Sequence, residues 1–215
     1  MKKYLKFLMI GVSLLATSSV ASAQYYQIAN QLGNMISPAL SGSLNYKGYI
    51  EGSYTAGLGS VKTDLVGVST SQGFKYRSWF FMGVGLGVDV AMSHVRTENY
   101  NTPYQTTSTG VMIPVFTDFR FNIGNQSHSS FFADVKLGAS FLMGNKYLQV
   151  GDGYLTSRQY FYLKPSLGVC IPLGNSGKSA VDVGITYQLL TSNYWYLGTT
   201  STTLNNLGAT GGFEW

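Results

Sequence analysis

Three short stretches hold residues whose types and spacing could do chemistry. In "FMGVGLGVDV", residues 81–90, Gly83, Gly85 and Gly87 recur at alternate positions. Glycines cradle a dinucleotide phosphate when they lie between a strand and a helix, spaced G-x-G-x-x-G. Here the last spacing is wrong, and an apolar–small alternation runs straight through the glycines, so a strand continues where a helix is needed. In "PLGNSGKS", residues 172–179, the ending matches a P-loop, but Pro172 stands where that loop requires glycine. Ser93 and His94 are neighbours, and a histidine beside a nucleophilic serine can act as its base in acyl transfer. Adjacent strand residues point to opposite faces, however, which keeps this pair apart. No grouping of His, Cys and carboxylate has metal-ligand spacing, and a single cysteine, Cys170, makes no internal disulfide. These stretches imply no catalytic residue, no cofactor and no metal.

What remains is a set of charges that share one strand parity. Lys47, Lys75, Arg120, Lys136 and Lys164 are basic, and Glu51, Asp89, Asp118, Asp134, Asp182 and Glu214 are acidic. Stepping outward to the segments that carry them, each shows period two. Phe80, Met82, Val84, Leu86, Val88, Val90 and Met92 oppose Phe81, Gly83, Gly85, Gly87, Asp89, Ala91 and Ser93. "VMIPVFTDFRFNI" sets Val111, Ile113, Val115, Phe119 and Phe121 against Asp118, Arg120 and Asn122. The same holds for "NYKGYIEGSYTAGLG", "DLVGVSTSQGFKY", "FFADVKLGASF", "YFYLKPSLGVCI", "AVDVGITYQL" and "NNLGATGGFEW", giving eight strands, an even number. One face of each is free of charge, apart from Asp64 at a strand end. A charge on a lipid face at mid-membrane costs about 2–4 kcal/mol, so a charge-free face reads as lipid-facing and the charged, glycine-rich face as the interior. The expected fold is all-β: a closed antiparallel eight-stranded transmembrane β-barrel, an up-and-down meander. In so narrow a lumen the five cations and six anions survive only if paired, which predicts a plugged polar network rather than an open pore. The glycines would leave room there for neighbours such as Arg120 or Lys136.

Composition agrees. Charged residues are 11% and aromatics 14% of the chain, against a charged share of about 25% in soluble domains. After residue 23 no apolar run is long enough for a spanning helix. Residues 1–23 read as a signal peptide, with Lys2, Lys3 and Lys6, a short apolar core from Phe7 to Ala16, and Ala21-Ser22-Ala23 as the cleavage site. Its loss removes three lysines and no acid, taking the net charge from +5 to +2; that is no argument for a nucleic-acid partner. Residues 24–44 form a periplasmic segment, a short helix or tail, and residues 45–215 the barrel. Joins at Ser93–Ser108, Gly144–Arg158 and Leu190–Thr202 are long and polar, while those at Tyr76–Ser78, Gly124–Ser130 and Leu173–Ser179 are shorter. Long outer loops and short periplasmic turns orient the barrel, with Tyr76, Phe80, Phe119, Phe121, Phe131 and Trp215 as the periplasmic aromatic girdle. Tyr100, Tyr104, Tyr147, Tyr154, Tyr194, Trp195 and Tyr196 dot the outer loops, as surface anchors for an unknown extracellular ligand or as interface belt residues.

With its signal peptide, eight alternating strands, inward charges and terminal "GGFEW", the chain resembles the small OmpA/OmpX-type outer-membrane β-barrels of Gram-negative bacteria over residues 45–215. Trp215 stands where that family commonly ends in Phe. The resemblance implies a monomer in outer-membrane lipid, and it makes Phe213 and Trp215 part of the insertion signal read by the barrel-assembly machinery. It implies a non-enzymatic structural or surface-recognition role. The alternatives are a lipid A-modifying enzyme, with Ser93 and His94 the residues to consider, and a small pore.

Overall fold

A computed structural model of the protein describes residues 44–59, 62–77, 79–94, 106–124, 129–150, 153–155, 157–174, 179–194 and 200–215. The expected signal peptide, the segment up to residue 43, His128 and the loop aromatics Tyr100, Tyr104, Trp195 and Tyr196 lie outside the described residues. Among the described residues eleven strands follow one another: β1 (Leu44–Gly57), β2 (Thr63–Tyr76), β3 (Phe80–Ser93), β4 (Thr106–Thr107), β5 (Thr109–Ile123), β6 (Ser130–Leu142), β7 (Tyr147–Val150), β8 (Gly153–Tyr154), β9 (Gln159–Leu173), β10 (Ser179–Tyr194) and β11 (Thr200–Glu214). Eight of them close into a barrel in the order β1-β11-β10-β9-β6-β5-β3-β2, each antiparallel to its neighbours. The barrel is the up-and-down meander expected. Leu44 already pairs with Tyr76, one residue before the expected start.

Closure requires the last strand to return to the first. Gly52 sits opposite Gly211 and Tyr49 opposite Glu214. Gly48 and Trp215 then exchange both backbone hydrogen bonds at 3.1 Å, which leaves no open edge at the seam. Two of the short joins start at glycines whose φ values, 130° at Gly124 and 75° at Gly174, are left-handed. The β2–β3 join is tighter, and there Arg77 takes φ 52°, an uncommon conformation for a residue with a side chain.

Two differences from the sequence reading concern the long joins. The Leu190–Thr202 stretch is largely strand: β10 and β11 stay paired out to Tyr194 opposite Thr200. The Gly144–Arg158 stretch contains β7 and β8, which join β4 in a separate small sheet whose β4–β7 pair is parallel. Runs of Thr, Ser and Asn look like loop by composition, yet they extend a hairpin whenever the barrel already supplies the register.

The outward face is apolar along its length, with Val68, Val84, Leu86, Leu167, Val183 and Ile185 exposed. Its scattered polar groups bond among themselves. Tyr46 donates to Gln72, Gln72 to Thr70 at 3.3 Å, and Thr70 to the Tyr49 carbonyl at 3.0 Å. Tyr187 donates to Asn205 at 2.6 Å. In lipid an unmet polar group costs several kcal/mol, roughly, so this local satisfaction is what permits them there. At the short-turn rim Trp79, Phe80 and Phe121 pack together, with ring centroids 5.0–6.1 Å apart. Phe213 and Trp215 stack at 6.2 Å.

Candidate functional site

The lumen is where the sequence placed its charges, and they occupy three levels. At the short-turn end Lys47 from β1 and Lys75 from β2 both reach Glu214 of β11, each at 3.0 Å. Glu214 can meet both because β11 closes against β1, which in turn pairs with β2.

The middle level centres on Arg120 of β5 and Lys136 of β6. The Arg120 guanidinium bonds Glu51 of β1 and Asp182 of β10 and lies 3.5 Å from Asp134 of β6. Its plane is held between the rings of Tyr49, 4.2 Å away, and Phe132, 4.5 Å away. Lys136 reaches Glu51 at 2.5 Å, Asp134 beside it, and Asp118 at 4.0 Å. Asp118 also accepts a hydrogen bond from Ser71 at 2.5 Å. All of these side chains are buried. Arginine suits the centre because its planar fork bonds carboxylates from two different strands while its faces stack on aromatics. The arrangement anchors distant strands to one another, since Arg120 of β5 reaches Glu51 of β1 and Asp182 of β10 across the lumen, besides Asp134 on the neighbouring strand β6.

Asp89 and Lys164 are placed higher, and no ion pair within 4.0 Å links them to the rest among the described residues. Asp89 accepts a hydrogen bond from Gln188 at 2.9 Å, and Lys164 donates to Ser53 at 2.6 Å. So the eleven charged residues share the interior, and nine of them form the two ion-paired groups. The opening glycines play a different part from the one expected. A side chain on Gly85 would meet the Phe116 ring at 2.5 Å, on Gly83 the Phe81 ring at 2.6 Å, and on Gly87 Ser69 at 2.9 Å. They make room for Phe81, Phe116 and Ser69, and not for Arg120 or Lys136: Phe81 and Phe116 are large rings that turn sideways onto the β3 wall. Gly67 does for Asp89 what was expected of Gly83, since a Cβ there would lie on Asp89 Oδ1.

Above the charges comes a level that the sequence reading missed. Leu65, Ala91, Met112, Leu142, Tyr160, Tyr162, Leu190 and Leu204 line the long-loop end of the lumen, and Leu148, Val150 and Leu155 from the β6–β9 connection fold onto them. Phe116 completes the cluster and stacks on Tyr162 at 5.7 Å. A signal for it existed. At the long-loop ends of the strands, Leu65, Met112, Leu142, Leu190 and Leu204 put apolar side chains on the inward parity.

Ser93 and His94 diverge, as strand geometry requires. Ser93 Oγ is buried and makes no hydrogen bond among the described residues, while His94 Nε2 lies 2.8 Å from Asp64 Oδ2. Among the described residues no group of three or more His, Cys, Asp and Glu is arranged to hold a metal ion.

A closed eight-strand meander with a charged interior and an apolar exterior narrows the architecture to one kind. The fold is that of an eight-stranded outer-membrane barrel. Among solved structures, the outer-membrane enzyme PagL superposes with a TM-score of 0.51 at 11% identity, covering 76% of this chain and 97% of that one. Neisserial surface protein A gives 0.49 at 10% identity over 80% of this chain and 97% of its own. The N-terminal β-barrel domain of Pseudomonas aeruginosa OprF gives 0.39 at 13%, over 79% and 97%. At 11% identity the likeness to PagL is one of fold. No protein-family model matches the sequence, and no curated protein matches it.

Proposed function

We propose that the chain is a non-enzymatic, monomeric outer-membrane barrel of a Gram-negative bacterium, with a structural or surface-recognition role. Its lumen is plugged, its outward face is solvated by lipid, and the barrel-assembly machinery reads the final strand with Phe213 and Trp215. An extracellular ligand of unknown identity would meet the long loops. The observation that carries this reading is the stacking of an apolar seal over ion-paired charges inside the barrel. A conduction path needs a continuous water-filled line of polar groups, and here that line is interrupted by Leu65, Met112, Leu148 and Leu155. Against the enzyme alternative stands the separation of Ser93 from His94, which leaves Ser93 without the histidine as its base.

Single-channel recording in planar bilayers tests the plug: no steady large conductance is expected from purified protein, and one would overturn the reading. Mass spectrometry of lipid A from cells with and without the protein tests the enzyme alternative. Identical lipid A is expected, whereas a mass change lost in His94→Ala would replace the non-enzymatic reading.

A further inference from the structure

The lipid-facing row of β3 runs Phe80, Met82, Val84, Leu86, Val88, Val90, Met92, and His94 is the next step in that row, just past the strand end. At about 3.3 Å per residue and a tilt of about 40°, the row from Phe80 to His94 climbs about 35 Å along the membrane normal. The apolar band of such a barrel is about 25 Å tall, so His94 stands at headgroup depth. Beside it lies Asp64, the one charged residue on the lipid-facing parity of the described barrel strands.

That carboxylate is fully engaged. Oδ2 takes His94 Nε2 at 2.8 Å and the Tyr54 hydroxyl at 2.9 Å, and Oδ1 accepts the Gly57 N–H at 3.0 Å. The His94 backbone N–H donates to the Lys62 carbonyl at 3.0 Å, bringing exposed Lys62 alongside. The imidazole is thus fixed through both its ring and its backbone, yet its side chain is 58% exposed, and Nδ1 makes no hydrogen bond among the described residues. A ring that gives Nε2–H to Asp64 and donates again through Nδ1 is an imidazolium, a cation suited to link two anions.

We propose that His94 and Lys62 bind the phosphomonoester head of an outer-leaflet lipid, with Asp64 and Tyr54 as positioning residues. The proposal rests on the outer-membrane reading above. Nδ1–H of His94 and the Lys62 ammonium supply charge-assisted donors to the phosphate. Asp64 does not repel it strongly, because its three hydrogen bonds, with His94, Tyr54 and Gly57, offset its charge. Exposed Val66 and half-exposed Tyr54 on the same face give the glycerol and first methylenes an apolar bed. No nucleophile is needed, and Ser93 points to the other face.

Native mass spectrometry of the barrel in maltoside micelles tests this, with short-chain phosphatidic acid, diacylglycerol of the same chains and inorganic phosphate as probes. Wild type is expected to retain phosphatidic acid over diacylglycerol. Losing one charge-assisted donor in His94→Gln should weaken retention about tenfold, and Lys62→Gln by a similar factor. His94→Lys should recover most of it, and His128→Gln should change nothing. Folded His94→Gln and Lys62→Gln variants that hold phosphatidic acid as wild type does would overturn the site. Inorganic phosphate that competes at the same concentration as the lipid would overturn the lipid assignment in favour of a soluble phosphate. Heat-dependent gel migration reports the barrel separately: wild type without a migration shift would count against the outer-membrane reading, whatever the lipid result.

Discussion

Replacing Arg120 by leucine tests the account of the lumen most directly. Arg120 is buried and bonds Glu51 and Asp182, with Asp134 at 3.5 Å. Without it, Asp182 keeps no ion pair among the described residues, and Glu51, Asp118 and Asp134 keep only Lys136. Breaking a buried pair by removing one partner costs about 3–5 kcal/mol, because the remaining charge stays buried. The lost stacking between Tyr49 and Phe132 lies within that figure, since the leucine still fills part of the space. With a urea slope of about 2 kcal/mol per molar, the unfolding midpoint in detergent should fall by about 2 M. Tryptophan fluorescence and the heat-dependent gel shift can both follow the transition. The decisive comparison is Arg120→Leu with Asp182→Leu added. If the cost is that of stranded charge, the double variant should be more stable than Arg120→Leu alone, because replacing a whole buried pair by apolar groups is often neutral. Arg120→Lys should fall between, keeping the charge but losing the fork. A midpoint shift below about 0.3 M for Arg120→Leu, or a double variant less stable than the single, would refute the reasoning.

Two further substitutions probe packing. Gly85→Ala should destabilise by about 1–3 kcal/mol by overpacking, because its Cβ would meet the Phe116 ring at 2.5 Å and the Thr70 carbonyl at 2.6 Å. Gly52→Ala, on the lipid face with nothing within 4 Å, should stay within about 0.5 kcal/mol, and equal effects at both positions in a urea titration would sink the argument. Leu148→Asp should unseat the apolar seal, seen as faster protease cleavage within residues 144–158 while the barrel keeps its gel shift; unchanged cleavage would show that the seal does not depend on Leu148.

Much of the barrel was legible because a strand has period two. Once one face of β3 was apolar from Phe80 to Met92, the inward direction of Asp89 followed, and the same logic placed Lys47, Arg120 and Glu214. Parity says which way a side chain points, but not what it meets. Glu51 and Arg120 are 69 residues apart and Lys75 and Glu214 are 139 apart, so their meetings depend on strand order and stagger. Asp89 and Lys164 have the same parity as the rest, yet stagger sets them above the ion-paired groups and onto Gln188 and Ser53. The glycines illustrate the same limit: Gly85 announces a close approach without naming Phe116 as what approaches.

The outward face, the inward face, the number of barrel strands and the positions of the short turns were written in the chain, because alternation, charge exclusion from lipid and left-handed glycines are local properties. The apolar seal was not. Leu148, Val150 and Leu155 sit in a connection whose own pattern has no period, and only the fold of that connection over the lumen brings them onto Leu65 and Met112. The Tyr54–Asp64–His94 cluster was hidden for the same reason. His94 lies beside Ser93 in the chain, but strand pleat turns it away, and the pairing of β2 with β3 brings it to Asp64. Local chemistry decides which way each residue faces; closing the barrel decides its company.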